Sequence, residues 1–423
     1  MGKNIIYYGP PGTGKTFLMQ NITKQYFGFD IDDQTIRDAY INSSQEWVVL
    51  ALILLQNDNL LTSNEISEII QRIRVVGFNE LPSTVLENHS VSINTELFTP
   101  RQPQIFEETN GKWSVSMNRL MQYEKDFLYR YLSEEAIDKR YEFVTFHQSF
   151  VYEDFVEGIR PNVSDNIGGD GGIGYSVQDG VFKRICKRAM ENPQKNYAIF
   201  IDEINRGNIS EIFGELITLI EQDKRLGEVN ELKVLLPYSK TEFGVPNNLD
   251  IIGTLNSADR SIALIDFALR RRFEFVKMNY DINELEKIIK QFGKDPENID
   301  GINVLSLLEV LNKRIELLLD DNYVIGHAFF TKVSSYDDIK NVILNKVVPL
   351  LEEYFYDDPQ KIQMIFADLT EEGELKDNAV YKHEYLEAEN LFGFFGEYNL
   401  ETKKRYFKNL NIEISSIQKI YES

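Results

Sequence analysis

The chain has 423 residues, 43% hydrophobic and 26% charged, enough for about three domains of ordinary size and unlike a disordered or fibrous composition. Its formal charge of −22 argues against a general nucleic-acid clamp, since sequence-independent affinity for phosphates needs patches of Lys and Arg; any DNA contact is expected to be local, in a loop, pore or added domain. The longest apolar run, Trp47 to Leu55, is far short of the roughly 20 residues a membrane helix needs, and the single Cys186 can form no internal disulfide, which suits a cytoplasmic protein with no membrane contact.

In chain order, the apolar run Ile5 to Tyr8 leads directly into GPPGTGKT. Strand, glycine-rich turn and helix start make a P-loop. The turn of Gly9, Pro10, Pro11, Gly12, Thr13 and Gly14 is expected to cradle a polyphosphate with its backbone N–H groups, Lys15 to reach the β- and γ-phosphates, and the Thr16 hydroxyl to ligate Mg²⁺. The chain therefore binds a nucleoside triphosphate.

About 170 residues separate this helix from the next nucleotide motif, too many for an ordinary loop, which predicts an inserted domain over residues 31–140. Within it, Trp47 to Leu55 reads as a buried helix, and Thr62 to Ile73 as an amphipathic helix capped by Thr62 or Ser63. Thr84 to Leu97 reads as a further helical stretch, and the strands PQIF and KWSVS flank an Asn110-Gly111 turn. Helix, turn, helix and hairpin resemble a winged helix over residues 45–118. That stretch sets Arg72, Arg74, Arg101 and Lys112 against nine acidic side chains, so contact with a protein partner is favoured over DNA, and Trp113 is expected in a small core.

Tyr141 to Phe146 predicts a second core strand, followed by His147 and Gln148 at its end, where a structural role is favoured. The Gly- and Asp-rich loop 162–174 and the segment Glu228 to Val245 read as hairpins suited to a ring's pore or a partner. Between them NYAIFIDE, Asn196 to Glu203, is an apolar strand ending in two carboxylates, a Walker B: Asp202 for Mg²⁺, Glu203 to orient and deprotonate water. Glu203 to Lys224 then reads as an amphipathic helix, with Arg206 placed to cross a subunit interface. The strand LDIIGTL ends at Asn256, whose neutral amide suits a γ-phosphate or lytic water, with Asp259 just beyond. In DFALRRRF, Arg271 and Arg272, with Arg270 in reserve, are the candidates for a finger supplied to a neighbouring subunit. Beyond Tyr280 the pattern is strongly helical.

The segments VTFHQSFVYEDFVEGIRP, IFIDEINRGNISEIFGELITLIEQDKR, TLNSADRSIALIDFALRRRF, IGHAFF and VVPLLEEYFYDD together resemble McrB, the AAA+ motor subunit of modification-dependent restriction systems, over most of residues 1–30 and 141–360. Asn256 and Asp259 occupy the places of the Asn and Asp in the family's signature Met-Asn-x-x-Asp, with Leu255 at the Met, a volume-conserving exchange. The resemblance implies GTP rather than ATP as substrate, hexameric rings, and a McrC-type partner that stimulates hydrolysis and brings the nuclease. It also puts His327 of IGHAFF roughly where many relatives carry a second sensor arginine. The P-loop strand lies so near Met1 that no room precedes it for the N-terminal DNA-binding domain such proteins often carry, so recognition is expected elsewhere or on residues ahead of this chain.

The expected fold is α/β: a P-loop AAA+ core with a parallel sheet (residues 1–30 and 141–280), the winged-helix-like insert, and an all-helical lid in the C-terminal region 281–423. The expected function is a ring-forming GTPase driving a separate nuclease at modified DNA. The alternatives are an ATP-dependent MoxR-like or dynein-related protein remodeller and a nucleotide-gated binding module.

Overall fold

A computed structural model describes residues 2–57, 60–75, 77–91, 100–133, 137–162, 174–259, 267–387, 391 and 402–422. Five strands form one sheet in the order Glu274–Lys277, Asn4–Gly9, Leu249–Asn256, Tyr197–Asp202, Tyr141–Thr145, every neighbouring pair parallel. The middle strands are buried on both faces, which explains why Tyr197 to Ile201 is continuously apolar rather than alternating. Parallel register brings the carboxyl ends together: Gly9 pairs with Asn256, and Thr145 with Asp202. The P-loop, Walker B and sensor motifs thus share one crevice at the end of the sheet.

Residues 204–224 depart from the single helix that their apolar period suggests. A 3₁₀ turn at Ile204–Arg206 is followed by helices Ile209–Phe213 and Leu216–Leu219, broken at Gly214, which has φ +50. The apolar face nevertheless packs as the period requires, with Ile209, Ile212, Phe213, Leu216, Leu219 and Ile220 all buried.

Residues between Ile31 and Leu132 build a hydrophobic core of their own, tied to the sheet domain by the short antiparallel pair Phe27–Phe29 and Ile137–Lys139. Its centre is the helix Glu46–Gln56, buried on every face from Trp47 to Leu55. The helix Ser63–Ile73 opens with a capping box between Thr62 and Glu65. The next helix is Pro82–Asn88, shorter than the period suggests; residues 92–97 of that stretch lie outside the described residues. The strands Phe106–Thr109 and Lys112–Val115 turn at Asn110 and Gly111, both with positive φ. Leu61 bridges to Trp113 beside this hairpin, and the indole, buried, donates to Ser63 Oγ at 3.0 Å. Several of the insert's cations are already paired: Arg72 with Asp33, Arg101 with Glu80, Arg119 with Glu107 and Arg130 with Glu124.

Two hairpins leave the core. Glu157–Asn162 pairs with Gly174–Asp179, and Val234–Leu235 with Glu242–Phe243; the loop between the first pair, residues 163–173, lies outside the described residues. A fully buried carboxylate joins them. Glu157 accepts from Lys183 Nζ at 2.6 Å and from the Tyr238 and Ser239 amides at 3.0 and 2.9 Å. Burial alone would raise its pKa, but these donors hold it below the ordinary glutamate value.

Helices Ile282–Gln291, Val304–Leu318 and Gln360–Ile365, together with the run Tyr336–Tyr354, pack around one apolar cluster to form the lid. A π-turn over Ile343–Val347 precedes Pro349, whose missing N–H suits a lapse in the helical ladder. The helical pattern does not extend to the C-terminus: Tyr381–Leu386 and Lys403–Lys408 form an antiparallel ribbon before a last helix, Ile414–Glu422. Among the described residues no helix is long and apolar enough to cross a membrane.

Replacing Lys183 by Met would leave Glu157 buried without its cation. The expected loss is about 3 kcal/mol of stability, read as a lower urea midpoint at unchanged m-value, with part of it recovered when Glu157→Gln is added.

Candidate functional site

The turn after the first strand takes its shape from glycine. Gly12 and Gly14 have φ of +77 and +84, a region closed to most side chains, and the helix Lys15–Thr23 starts immediately after. Lys15 Nζ donates to the Gly9 and Pro10 carbonyls at 2.8 and 2.7 Å, the posture of a lysine spanning its own loop. Burial lowers its pKa to about 8, while Glu203 and Asp202 act in the opposite direction, so both Walker B carboxylates lie within electrostatic reach of the ammonium. An incoming triphosphate would restore the charge that burial disfavours.

Asp202 closes its strand and accepts from the Thr254 hydroxyl, and the same hydroxyl oxygen accepts the Glu203 N–H at 3.2 Å. Thr254 thus fixes the relative position of both acids from the adjacent strand. Sequence reasoning passed over it; the available signal is a lone hydroxyl inside the apolar run LDIIGTL. Glu203 itself sits in the left-handed region, φ 54 and ψ 46, an uncommon place for a glutamate and one that turns the chain sharply out of the strand.

Arg206 donates to Glu203 Oε2 at 3.2 Å and pairs with Asp259 Oδ2 at 3.7 Å. Within one chain, then, Asp259 holds the arginine that holds the Walker B glutamate. Asn256 turns its amide oxygen to the Ala258 N–H at 3.3 Å, which makes its NH₂ the group available to a ligand. Thr16 is exposed at the helix start. The three arginines separate. Arg272 is inward, 4% exposed at the side chain, and pairs with Glu221 at 2.7 Å, while Asn4 Nδ2 donates to its carbonyl at 2.9 Å. Arg271 pairs with the same glutamate at 3.1 Å but is 66% exposed, and Arg270 is exposed over the Phe275 ring. In the single chain the outward-facing arginines are Arg270 and Arg271; the expectation of an outward Arg272 does not match its burial. His147 is exposed and makes an edge contact with Phe150.

The lid closes directly on the P-loop. Gly326 N–H donates to Pro11 O at 3.1 Å and Ala328 N–H to Gly12 O at 2.9 Å. A Cβ on Gly326 would lie 1.9 Å from the Gly12 carbonyl carbon, and one on Gly12 would lie 2.5 Å from the Phe329 ring. The buried Asn312 amide pins this segment by donating to Ile325 O at 2.9 Å and accepting from Ile325 N–H at 2.6 Å. His327 Nδ1 accepts the Asp281 N–H at 3.1 Å, and burial lowers its pKa, outweighing Asp281 and Glu284. The ring is therefore neutral near pH 7 with its proton on Nε2, 3.9 Å from where a Gly14 Cβ would stand. A second tie runs from the sensor: Ser257 Oγ donates to Asn322 O at 3.2 Å.

Gly326→Ala would separate the lid from the loop by a carbon atom's width. Hydrolysis measured as phosphate release is expected to fall about 100-fold, the order seen for ångström-scale misplacement, with circular dichroism unchanged.

Comparison with known proteins agrees with this arrangement. Residues 124–273 match the AAA domain of the dynein-related subfamily, and residues 303–363 match the alpha-helical lid domain of McrB. The Type IV methyl-directed restriction enzyme EcoKMcrB subunit of Escherichia coli is 38% identical over 246 residues, 55% of this chain and 50% of the relative. The Type II restriction enzyme BsuMI component YdiS of Bacillus subtilis is 26% identical over 226 residues, 49% of this chain and 64% of the relative. The match therefore spans about half the length of the first and under two thirds of the second. A parallel sheet gathering three nucleotide motifs, closed by a lid of McrB type seated on the P-loop, makes this chain an McrB-like AAA+ protein.

Proposed function

We propose that the chain is the nucleoside triphosphatase of a restriction system: a ring-forming, GTP-hydrolysing motor that works on DNA through a separate McrC-type nuclease chain. The observation that carries the reading is the P-loop enclosed between the Walker B acids and the lid, with His327, Lys15, Glu203 and Asn256 all at the carboxyl end of one sheet. Similarity to two restriction-enzyme components supports the biological setting; GTP, the hexamer and the nuclease partner rest on resemblance to the first of them.

In this mechanism the amides of the turn Gly9 to Gly14 and the Lys15 ammonium bind the triphosphate. Thr16 and Asp202 present hard oxygen donors, the type Mg²⁺ requires, and the ion when bound would neutralise charge between the β- and γ-phosphates. Glu203 takes the proton of the attacking water, and the Asn256 NH₂ orients that water or the γ-phosphate. Arg206, held by Asp259, keeps the Glu203 carboxylate in place. The His327 Nε2–H donates to the polyphosphate, so that binding draws the lid and loop together. Arg271, or its neighbour Arg270, reaches the nucleotide of the adjacent subunit. The insert, in which Arg72, Arg101, Arg119 and Arg130 are paired with carboxylates, serves as a docking module for a protein partner.

The test is phosphate release with GTP and with ATP, Mg²⁺ present, with and without the product of the adjacent gene. GTP-selective turnover stimulated by that product is expected; ATP-selective turnover indifferent to it would favour a protein remodeller. Glu203→Gln should keep nucleotide affinity and lose about 10²- to 10⁴-fold in turnover, whereas a nucleotide-gated switch would act normally with this change. His327→Ala should weaken nucleotide binding by about tenfold or more, the worth of one hydrogen bond to a charged group, read by titration with a fluorescent nucleotide analogue.

A further inference from the structure

The acidic balance of the chain reverses in the C-terminal ribbon. In the ribbon formed by Tyr381–Leu386 and Lys403–Lys408 stand Lys382, Lys403, Lys404, Arg405 and Lys408 against one strand carboxylate, Glu384. The inner end of the ribbon is anchored to the lid. Tyr381 is buried, Gln363 Nε2 donates to its carbonyl at 3.1 Å, and Lys408 Nζ donates to Leu344 O at 3.1 Å. The outer end is exposed: register places Lys404 opposite Tyr385 and Lys403 opposite Leu386.

We propose that this ribbon, through Lys382, Lys403, Lys404 and Arg405, binds the phosphodiester backbone of duplex DNA. Among the described residues no carboxylate pairs with Lys382, Lys403 or Lys404, and Arg405 shares only a solvent-exposed pair with Glu384 at 3.2 Å, of a kind worth little. The positive field is felt by neighbouring groups. Burial lowers the pKa of Lys419, and Lys376 and Lys382 lower it further against the pull of Asp368; His383 is lowered by burial and then by Lys404. Tyr385, 57% exposed, lies beneath the Lys404 ammonium at 5.4 Å and offers a flat face beside the cations. Glu384 and Glu387 flank the patch, but with a screening length of about 8 Å at physiological salt, charges beyond that distance contribute little to the field there.

Shape selects the occupant. A two-stranded ribbon fits the major groove of B-form DNA, whereas the deep, narrow major groove of A-form RNA does not admit side chains. A protein partner would ask for an uncharged, apolar centre, the reverse of what Lys403, Lys404 and Arg405 present. The inference stands on charge and strand register and does not depend on which nucleotide the P-loop takes.

The test compares the full chain with a Lys382→Gln, Lys403→Gln, Lys404→Gln variant by fluorescence anisotropy on a labelled unmodified duplex over a salt series. The variant should bind at least about tenfold more weakly at low salt, and its log–log salt slope should fall by about 2 to 3, close to 0.9 for each phosphate contact removed. Basal nucleotide hydrolysis and the melting temperature should be unchanged, and the same three positions as Arg should restore binding. An unaltered slope and affinity, preference for an RNA duplex, or equal displacement by polyglutamate would each overturn the proposal.

Discussion

Everything at the nucleotide cleft depends on two backbones touching. Gly326 of the lid stands against Gly12 and Thr13 so closely that no side chain fits between them, and two backbone hydrogen bonds span the contact. Such an approach is open only to glycine at position 326, while Gly12 is required by its positive φ and by the Phe329 ring against it. It makes lid and P-loop one wall of the site, so any ligand that reshapes the turn must act on the helical bundle as well. Asn312, wholly buried with both polar atoms on Ile325, is the strut that holds the lid's side of this contact. Removing one partner of such a buried amide would cost more than its bonds are worth, because the other stays unsatisfied.

The second organising feature is the chain of polar contacts across the sheet end. Thr254 connects Asp202 to Glu203, Arg206 connects Glu203 to Asp259, and Ser257 connects the sensor turn to the lid. Each tie joins different strands or different domains. The signature Asp259 therefore has a structural account within one chain: it orients the arginine that orients the catalytic candidate. Electrostatics at the periphery follow another logic. The insert pairs Arg72 and Arg101 with carboxylates of its own, the paired hairpins share one buried carboxylate, and the terminal ribbon leaves Lys403 and Lys404 exposed.

Much of this was legible in the residues. The P-loop spacing, the apolar strand ending in two acids and the strand ending in Asn256 each carry a local signal, because backbone conformation, hydrophobic period and charge placement all point to the same element. The buried helix from Trp47 and a helix cap at Thr62 or Ser63 were equally plain. Other features were hidden for identifiable reasons. The run 204–224 has a helical period, yet Gly207 and Gly214 break it where the chain must turn over the sheet end. The C-terminal ribbon pairs strands separated by many residues, a contact that no local pattern announces.

The sequence by itself set out the P-loop, the strand ending in Asp202 and Glu203, the strand ending in Asn256 and the long interval after the first helix, because these are properties of short stretches read against fixed geometric needs. Only the tertiary structure decided which arginine turns inward on Glu221, which hydroxyl holds the Walker B acids, which tautomer His327 adopts, and where the unpaired lysines gather. Those outcomes depend on what distant segments place within a few ångströms of one another, where hydrogen bonding and burial act and one-dimensional spacing carries no record.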